Sequence, residues 1–302
     1  MSAIQESANV SGTLENTATQ NIQKILVPVD FSATSKVALD YAVAIAKGLG
    51  SQVVVYHSVT PMADISLAVG NAAWEQETEK ILATLTKRAE EFISPYQTIS
   101  YEHKNSMVEI STLIRVGYIA NDVEALTSSG YDLVVLGTKG VSGFDEIVFG
   151  SVAGNVAEVA KCPVLIIPQG ASFEGINNLV YATDFDKKDT LVIDELLQFA
   201  ESLHADKITC LHINTNPENI AENLTRLIHI EEQYWFTPIH KLQFELVSGE
   251  SVLKTLYKYL EEQKPDIIAV LRKDRSFVEN IFHQSISKKL AYHSKTPVLI
   301  LK

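Results

Sequence analysis

Three glycines and a serine are the residues of this chain best placed to do chemistry. They stand as G-x2-G-x9-G-S: Gly137, Gly140, Gly150 and Ser151, between an apolar run at 133–136 and a helical run that ends at Lys161. Glycine has no Cβ, so it reaches φ > 0 readily and lets a ligand approach the backbone. Ser151 opens the following helix and can cap it, and the free N–H groups of a helix N-terminus favour an anion. Loop amides and helix end together suit a phosphate chain. Lys139, inside the loop, either adds a charge-assisted contact or stays in solvent. Two other phosphate loops do not fit. The chain has no G-x4-G-K-S/T, and Gly137, Gly140 and Gly143 miss the G-x-G-x-x-G spacing.

These residues need a scaffold. Lys24-Ile-Leu-Val-Pro-Val-Asp30 is nearly continuous apolar sequence, as buried strands of parallel sheets are. Ser32 or Thr34 can cap the helix that follows, whose Val37, Tyr41, Ile45 and Leu49 share one face. Residues 51–59 read as the second strand, and a long amphipathic helix is predicted over 73–93, stopped before Pro95. Residues 109–116 read as the third strand, with an irregular extra strand expected at 98–104. A helix at 119–129 and strands at 133–136 and 164–167 complete the series. Strand and helix alternate throughout, which predicts an α/β fold, a doubly wound parallel sheet with helices on both faces. Such sheets bind ligands beyond the strand carboxyl ends, where strand order reverses. Asp30, His57-Ser58 and Leu136-Gly137 all fall at such ends and converge on one crevice.

The pattern then repeats. Asn178-Leu-Val-Tyr-Ala-Thr-Asp184-Phe185 echoes the run through Asp30-Phe31, and Lys207-Ile-Thr-Cys-Leu-His212 echoes the strand ending at His57. Val247-Ser-Gly249 echoes Val116-Gly117, and Thr296-Pro-Val-Leu-Ile-Leu301 echoes Cys162-Pro-Val-Leu-Ile-Ile167. Matched strands in the two halves predict two copies of one domain. The expected division is a disordered lead-in at 1–20, a first domain at 21–168, a linker at 169–175 and a second domain at 176–302.

The G-x2-G-x9-G-S loop, with Asp30 ending the first strand, resembles the nucleotide-binding signature of the universal stress protein family. The resemblance covers nearly the whole chain from Asn21, as a tandem pair. It implies two Rossmann-like domains of the adenine-nucleotide α-hydrolase-like type, each a five-stranded parallel sheet. It also implies ATP, or AMP or ADP, as ligand, with magnesium as an optional companion. In the family pattern Asp30 matches the acidic residue that meets the nucleoside, and Ser58 a position whose backbone contacts adenine. Leu136 matches an apolar wall, and Gly137, Gly140, Gly150 and Ser151 match the phosphate cradle. Capping of the next helix is the alternative role for Asp30. The family pairs through its last strands, which would set 164–167 beside 298–301 within this chain, with a homo-oligomer also open.

The second copy departs from the pattern. Arg272 and Arg275 stand where Gly137 and Gly140 stand in the first, Gln284 replaces Gly150, and Ser285 matches Ser151. Arg272, Lys273 and Arg275 could hold an anion by side chain, be solvated, or form an internal salt bridge.

Composition narrows the classes. The net charge is −12, and neither side of Gly170 carries the basic excess of a nucleic-acid binder. Two cysteines, Cys162 and Cys210, make no disulfide framework and read as small core residues of a reducing compartment. With no secretory pattern at the start and no long apolar run, a cytoplasmic protein without membrane partners is expected. No His spacing suits a metal and no nucleophile–base pair stands out. The leading expectation is an ATP-binding stress-response protein acting as a nucleotide-dependent regulator or interaction module. A slow ATP-hydrolysing or adenylating enzyme and a nucleotide-free scaffold are the alternatives.

Overall fold

The computed structural model describes residues 22–60, 71–102, 108–138, 151–186, 189–238, 241–272 and 296–302. The expected lead-in lies outside the described residues, as do Lys139, Gly140, Gly150, Lys273, Arg275, Gln284 and Ser285.

Strands β1 (Lys24–Pro28), β2 (Gln52–Val59), β3 (Ile110–Val116), β4 (Leu133–Gly137) and β5 (Val164–Ile167) come from the first half of the chain. Strands β6 (Asn178–Ala182), β7 (Lys207–Asn214), β8 (Leu242–Ser248), β9 (Ile267–Leu271) and β10 (Val298–Leu301) come from the second. They form one sheet in the order β3-β2-β1-β4-β5-β10-β9-β6-β7-β8. Within each half the neighbours are parallel. The halves meet where β5 and β10 run antiparallel, Leu165 opposite Leu299.

Helices cover both faces. On one side lie α1 (Ala33–Leu49), α2 (Asn71–Glu102), α5 (Asp189–Ser202) and α6 (Ile220–Gln233). On the other lie α3 (Ile119–Thr127), α4 (Ser151–Val159) and α7 (Val252–Gln263). The sequence dictates this double cover. Alternate residues of a strand point to opposite faces, and here both sets are apolar. Ile25, Val27, Leu133 and Val135 join the core under α1, while Leu26, Val134 and Leu136 join the core under α3 and α4.

Helix α1 shows how local chemistry sets an element. Ser32 is its N-cap, its Oγ accepting from the Ser35 N–H at 3.2 Å. Gly50 closes the other end at φ 71°, its N–H on the Ala46 carbonyl. Helix α2 corrects two expectations. It runs through Pro95 to Glu102, so residues 98–102 are helix rather than strand. Proline lacks the N–H that would reach the carbonyl four residues back. That carbonyl belongs to Glu91, and the Ser94 hydroxyl donates to it at 2.9 Å. Tyr96 then ties the turn beyond the proline to Asp40 of α1 at 2.5 Å.

Candidate functional site

In the first half strand order reverses between β1 and β4, and the carboxyl ends of these two strands and of β2 frame a crevice. Asp30 follows β1. The Ser32 N–H donates to its Oδ1 at 3.0 Å, the Ser35 hydroxyl donates to the same oxygen, and its own N–H donates to Ser35 Oγ at 3.1 Å. Burial pushes the Asp30 carboxyl up, but these hydrogen bonds outweigh it and hold the group below its ordinary value of 3.8. Asp30 is therefore a carboxylate at neutral pH. Both of these bonds fall on Oδ1. Asp30 thus braces the turn without being the helix cap; Ser32 is that.

Phe31, the next residue, sits at φ 62°, a conformation bulky side chains rarely adopt. Its ring is held on three sides. His57 lies 4.8 Å away, Phe92 meets it edge-on at 5.6 Å, and the Arg88 guanidinium stands over it at 4.7 Å. His57 Nδ1 lies 2.6 Å from the Val29 carbonyl. A carbonyl only accepts, so Nδ1 carries the proton and fixes the end of β2 against the turn that carries Asp30. Sequence reasoning named neither Phe31 nor His57 as a site residue. Their signal was the same Asp-Phe and strand-final His in both halves.

Ser58 settles differently from a ligand hydroxyl. Its Oγ donates to the Gly117 carbonyl at 2.8 Å and ties β2 to the end of β3, so its backbone is what remains to face a base. Leu136 is buried, 2% exposed, in the core under α3 and α4. Of the two reasons the sequence offered for Gly137, a left-handed φ is not one the structure needs. Its φ is not in the left-handed region; a Cβ there would lie 2.7 Å from Thr34 Cγ2 in the first turn of α1. Thr138, which sequence reasoning missed, is 3% exposed, and its N–H donates to the Ile167 carbonyl at 2.9 Å. Its hydroxyl is buried with no hydrogen-bond partner among the described residues, at the root of the glycine loop. Ser151 stands at the first position of α4. Asp30, Ser58, Leu136 and Gly137 are thus brought to adjacent strand ends, while Gly140 and Gly150 lie outside the described residues.

The second half repeats the frame and changes the chemistry. Phe185 sits at φ 55°, 5.3 Å from His212, whose Nδ1 lies 2.8 Å from the Thr183 carbonyl. Asp184, the counterpart of Asp30, is exposed. Asp189 replaces Ser35 and is fully buried. It accepts from the Tyr181 and Thr183 hydroxyls at 2.6 Å each and from the Asp186 N–H at 2.7 Å. Beside it is a groove of about 710 Å³ lined by Asp184, Asp186, Arg226 and His229 among others, side chains rather than glycine backbone. Arg272 turns away toward the first half. Its Nη1 donates to the Glu158 carbonyl at 2.9 Å and the Ala157 carbonyl at 3.3 Å, and Lys302 Nζ donates to Ala157 at 2.6 Å. These cations meet the C-terminus of α4, where a helix leaves carbonyls unpaired and its dipole favours positive charge.

Cys162 and Cys210 are buried, and burial raises both thiols, Cys162 to about 12. Among the described residues no group of three metal-ligating side chains converges, and no helix is long and apolar enough to cross a membrane.

Comparison with known proteins places this geometry. The universal stress protein family model matches residues 21–168. A universal stress protein of Methanocaldococcus jannaschii is 34% identical over 146 residues, covering 48% of this chain and 81% of the relative. A second from the same organism is 28% identical over 152 residues, 48% of this chain and 94% of its own length. The crystal structure of a universal stress protein from Archaeoglobus fulgidus aligns over 93% of this chain and 97% of its own, with a TM-score of 0.66 at 18% identity, a likeness of fold. With the strand order, the Asp30 turn and the glycine loop, these matches establish that the chain belongs to the universal stress protein family.

Proposed function

We propose that the first half of the chain binds one adenine nucleotide, ATP foremost, and that occupancy biases which partner this stress-response protein engages. One observation carries the reading: Asp30 is held ionised at the β1–β4 switch point by hydrogen bonds from Ser32 and Ser35. A carboxylate there accepts hydrogen bonds from ribose hydroxyls or from the adenine amino group. The Thr138 hydroxyl, buried and without a hydrogen-bond partner among the described residues, fits a polar ligand at the loop root. The loop amides of Gly140 and Gly150 and the N-terminus of α4 at Ser151 would take the phosphates. Magnesium would enter with those phosphates. No step of turnover is assigned to any residue.

The second half is read as a structural partner. Its Arg272 is spent on α4, and its buried carboxylate is Asp189, not Asp184. The decisive experiment is calorimetric titration of the full chain with ATP and AMP, after denaturing a sample to identify any nucleotide it carries. The expected stoichiometry is near one, and Asp30→Ala should weaken ATP and AMP alike. A stoichiometry near two, or unchanged affinity in Asp30→Ala, sinks the reading. Steady product formation from ATP would favour the enzyme.

A further inference from the structure

One apolar surface lies in the second half, on α6. On α6, Ile220, Leu224 and Ile228 recur every fourth residue and are 42, 44 and 53% exposed. They form a shoulder distinct from the buried face of that helix, where Asn223, Leu227 and Ile230 turn inward. The shoulder leads to Trp235 and Phe236, 78 and 97% exposed. This pair is not on a loose tail. The Tyr234 hydroxyl donates to the Thr190 carbonyl at 2.8 Å and to Asp194 at 3.0 Å, and the Thr237 N–H donates to the Tyr234 carbonyl at 2.8 Å. Exposed aromatic side chains on a backbone fixed at both flanks suit an interface, where aromatic anchors are enriched. Two aromatics offer roughly 150–250 Å² each, and with three aliphatic neighbours the patch reaches the size that marks interaction sites. Helix α2 holds the matching place in the first half, and among its described residues Ile81 alone is a large apolar side chain exposed to this degree.

Charge selects the occupant. Helical periodicity sets Glu231 on the same shoulder, between Ile228 and Trp235, with Glu232 beside it, both exposed. Arg226 lies round the helix in an ion pair with Glu222 and does not offset them. A second copy would bring its own glutamates and a net charge of −12 against these. An anionic lipid surface would be repelled in the same way.

We propose that this shoulder of α6, ending in Trp235 and Phe236, docks a basic amphipathic segment of a partner protein. The segment's apolar side chains would lie on Ile220, Leu224 and Ile228, and its lysines or arginines on Glu231 and Glu232. The proposal stands independently of nucleotide binding. Trp235 is its own reporter once the other tryptophan is removed by Trp74→Phe. The probe is a synthetic helical peptide of about 18 residues, five turns, with a leucine stripe flanked by lysines; a copy with glutamates is the control. The lysine peptide should bind saturably and shift Trp235 emission to the blue. Leu224→Ser with Phe236→Ser should weaken it at least about tenfold, as loss of a hot spot does, with circular dichroism unchanged. Glu231→Lys with Glu232→Lys should reverse the preference to the glutamate peptide. Equal binding of the two peptides, or none, overturns the proposal. So does an emission shift that follows protein concentration alone, with a rising sedimentation mass, or one seen only with anionic vesicles.

Discussion

Replacing Gly137 with alanine tests why a glycine ends β4. The added Cβ would lie 2.7 Å from Thr34 Cγ2, 3.2 Å from Thr34 Cβ and 3.3 Å from its carbonyl carbon. The first distance is well inside van der Waals contact, and the neighbour is the first turn of a capped helix rather than a flexible tip. Overpacking of this kind costs about 1–3 kcal/mol. Thr34→Ser removes the methyl at 2.7 Å and leaves two tight contacts that a shift of a few tenths of an ångström relieves. Gly137 has no left-handed φ, so alanine there should also gain about 0.4–1 kcal/mol by restricting the unfolded chain. The expectation has a sign in each background. Gly137→Ala should destabilise the wild type by about 1–2 kcal/mol net and be near neutral in Thr34→Ser, a coupling of at least about 1 kcal/mol. Urea unfolding midpoints of the four proteins measure it. An equal cost in both backgrounds would refute steric contact with Thr34 as the cause and return Gly137 to a purely ligand-directed role.

Two further outcomes follow from hydrogen bonds at the same site and across the halves. The Asp30 carboxyl is held below 3.8 in the folded chain, so its stabilisation is full above that pH and disappears as pH falls through the lowered value. Asp30→Asn should therefore flatten the acid limb of a stability–pH curve below about pH 4, and an unchanged limb would show that Asp30 gains nothing from Ser32 and Ser35. Arg272→Ala should cost about 1–2 kcal/mol, less than the 1.5–3 kcal/mol of an uncompensated charged hydrogen bond, because Lys302 still reaches Ala157. Hydrogen exchange should quicken in the last turn of α4, and Arg272→Lys should restore part of the protection; exchange confined to β9 would contradict the clamp.

Much of this fold was legible because parallel strands are buried on both faces. Runs such as 24–29, 133–136 and 164–167 carry apolar residues at consecutive positions, and such runs have few other homes. The repeat then set the order of the second half. The length of α2 was not legible. A proline normally ends a helix, and only the tertiary position of Tyr96 against Asp40 and the Ser94 hydroxyl on Glu91 make continuation possible. The same limit hid the fate of Arg272. A cation after a strand reads as an anion ligand or a solvated side chain, and nothing local reveals that the C-terminus of a helix more than a hundred residues earlier will arrive beside it.

The deeper difference between the halves lies in the turn from first strand to first helix. Each half crosses from strand to helix through a left-handed phenylalanine held by a histidine, and each needs a carboxylate to collect the donors of that turn. In the first half the carboxylate is Asp30 at the strand end, served by Ser35. In the second it has moved to Asp189, at the position of Ser35, where Tyr181, Thr183 and Asp186 use both oxygens. A buried carboxylate whose two oxygens are both bonded inside the fold is a strut. Asp184 matches Asp30 in sequence, is exposed, and has Asp189 rather than a serine five residues on. Alignment of the two aspartates alone hides this difference, which the residue five positions on sets: Ser35 in one half, Asp189 in the other.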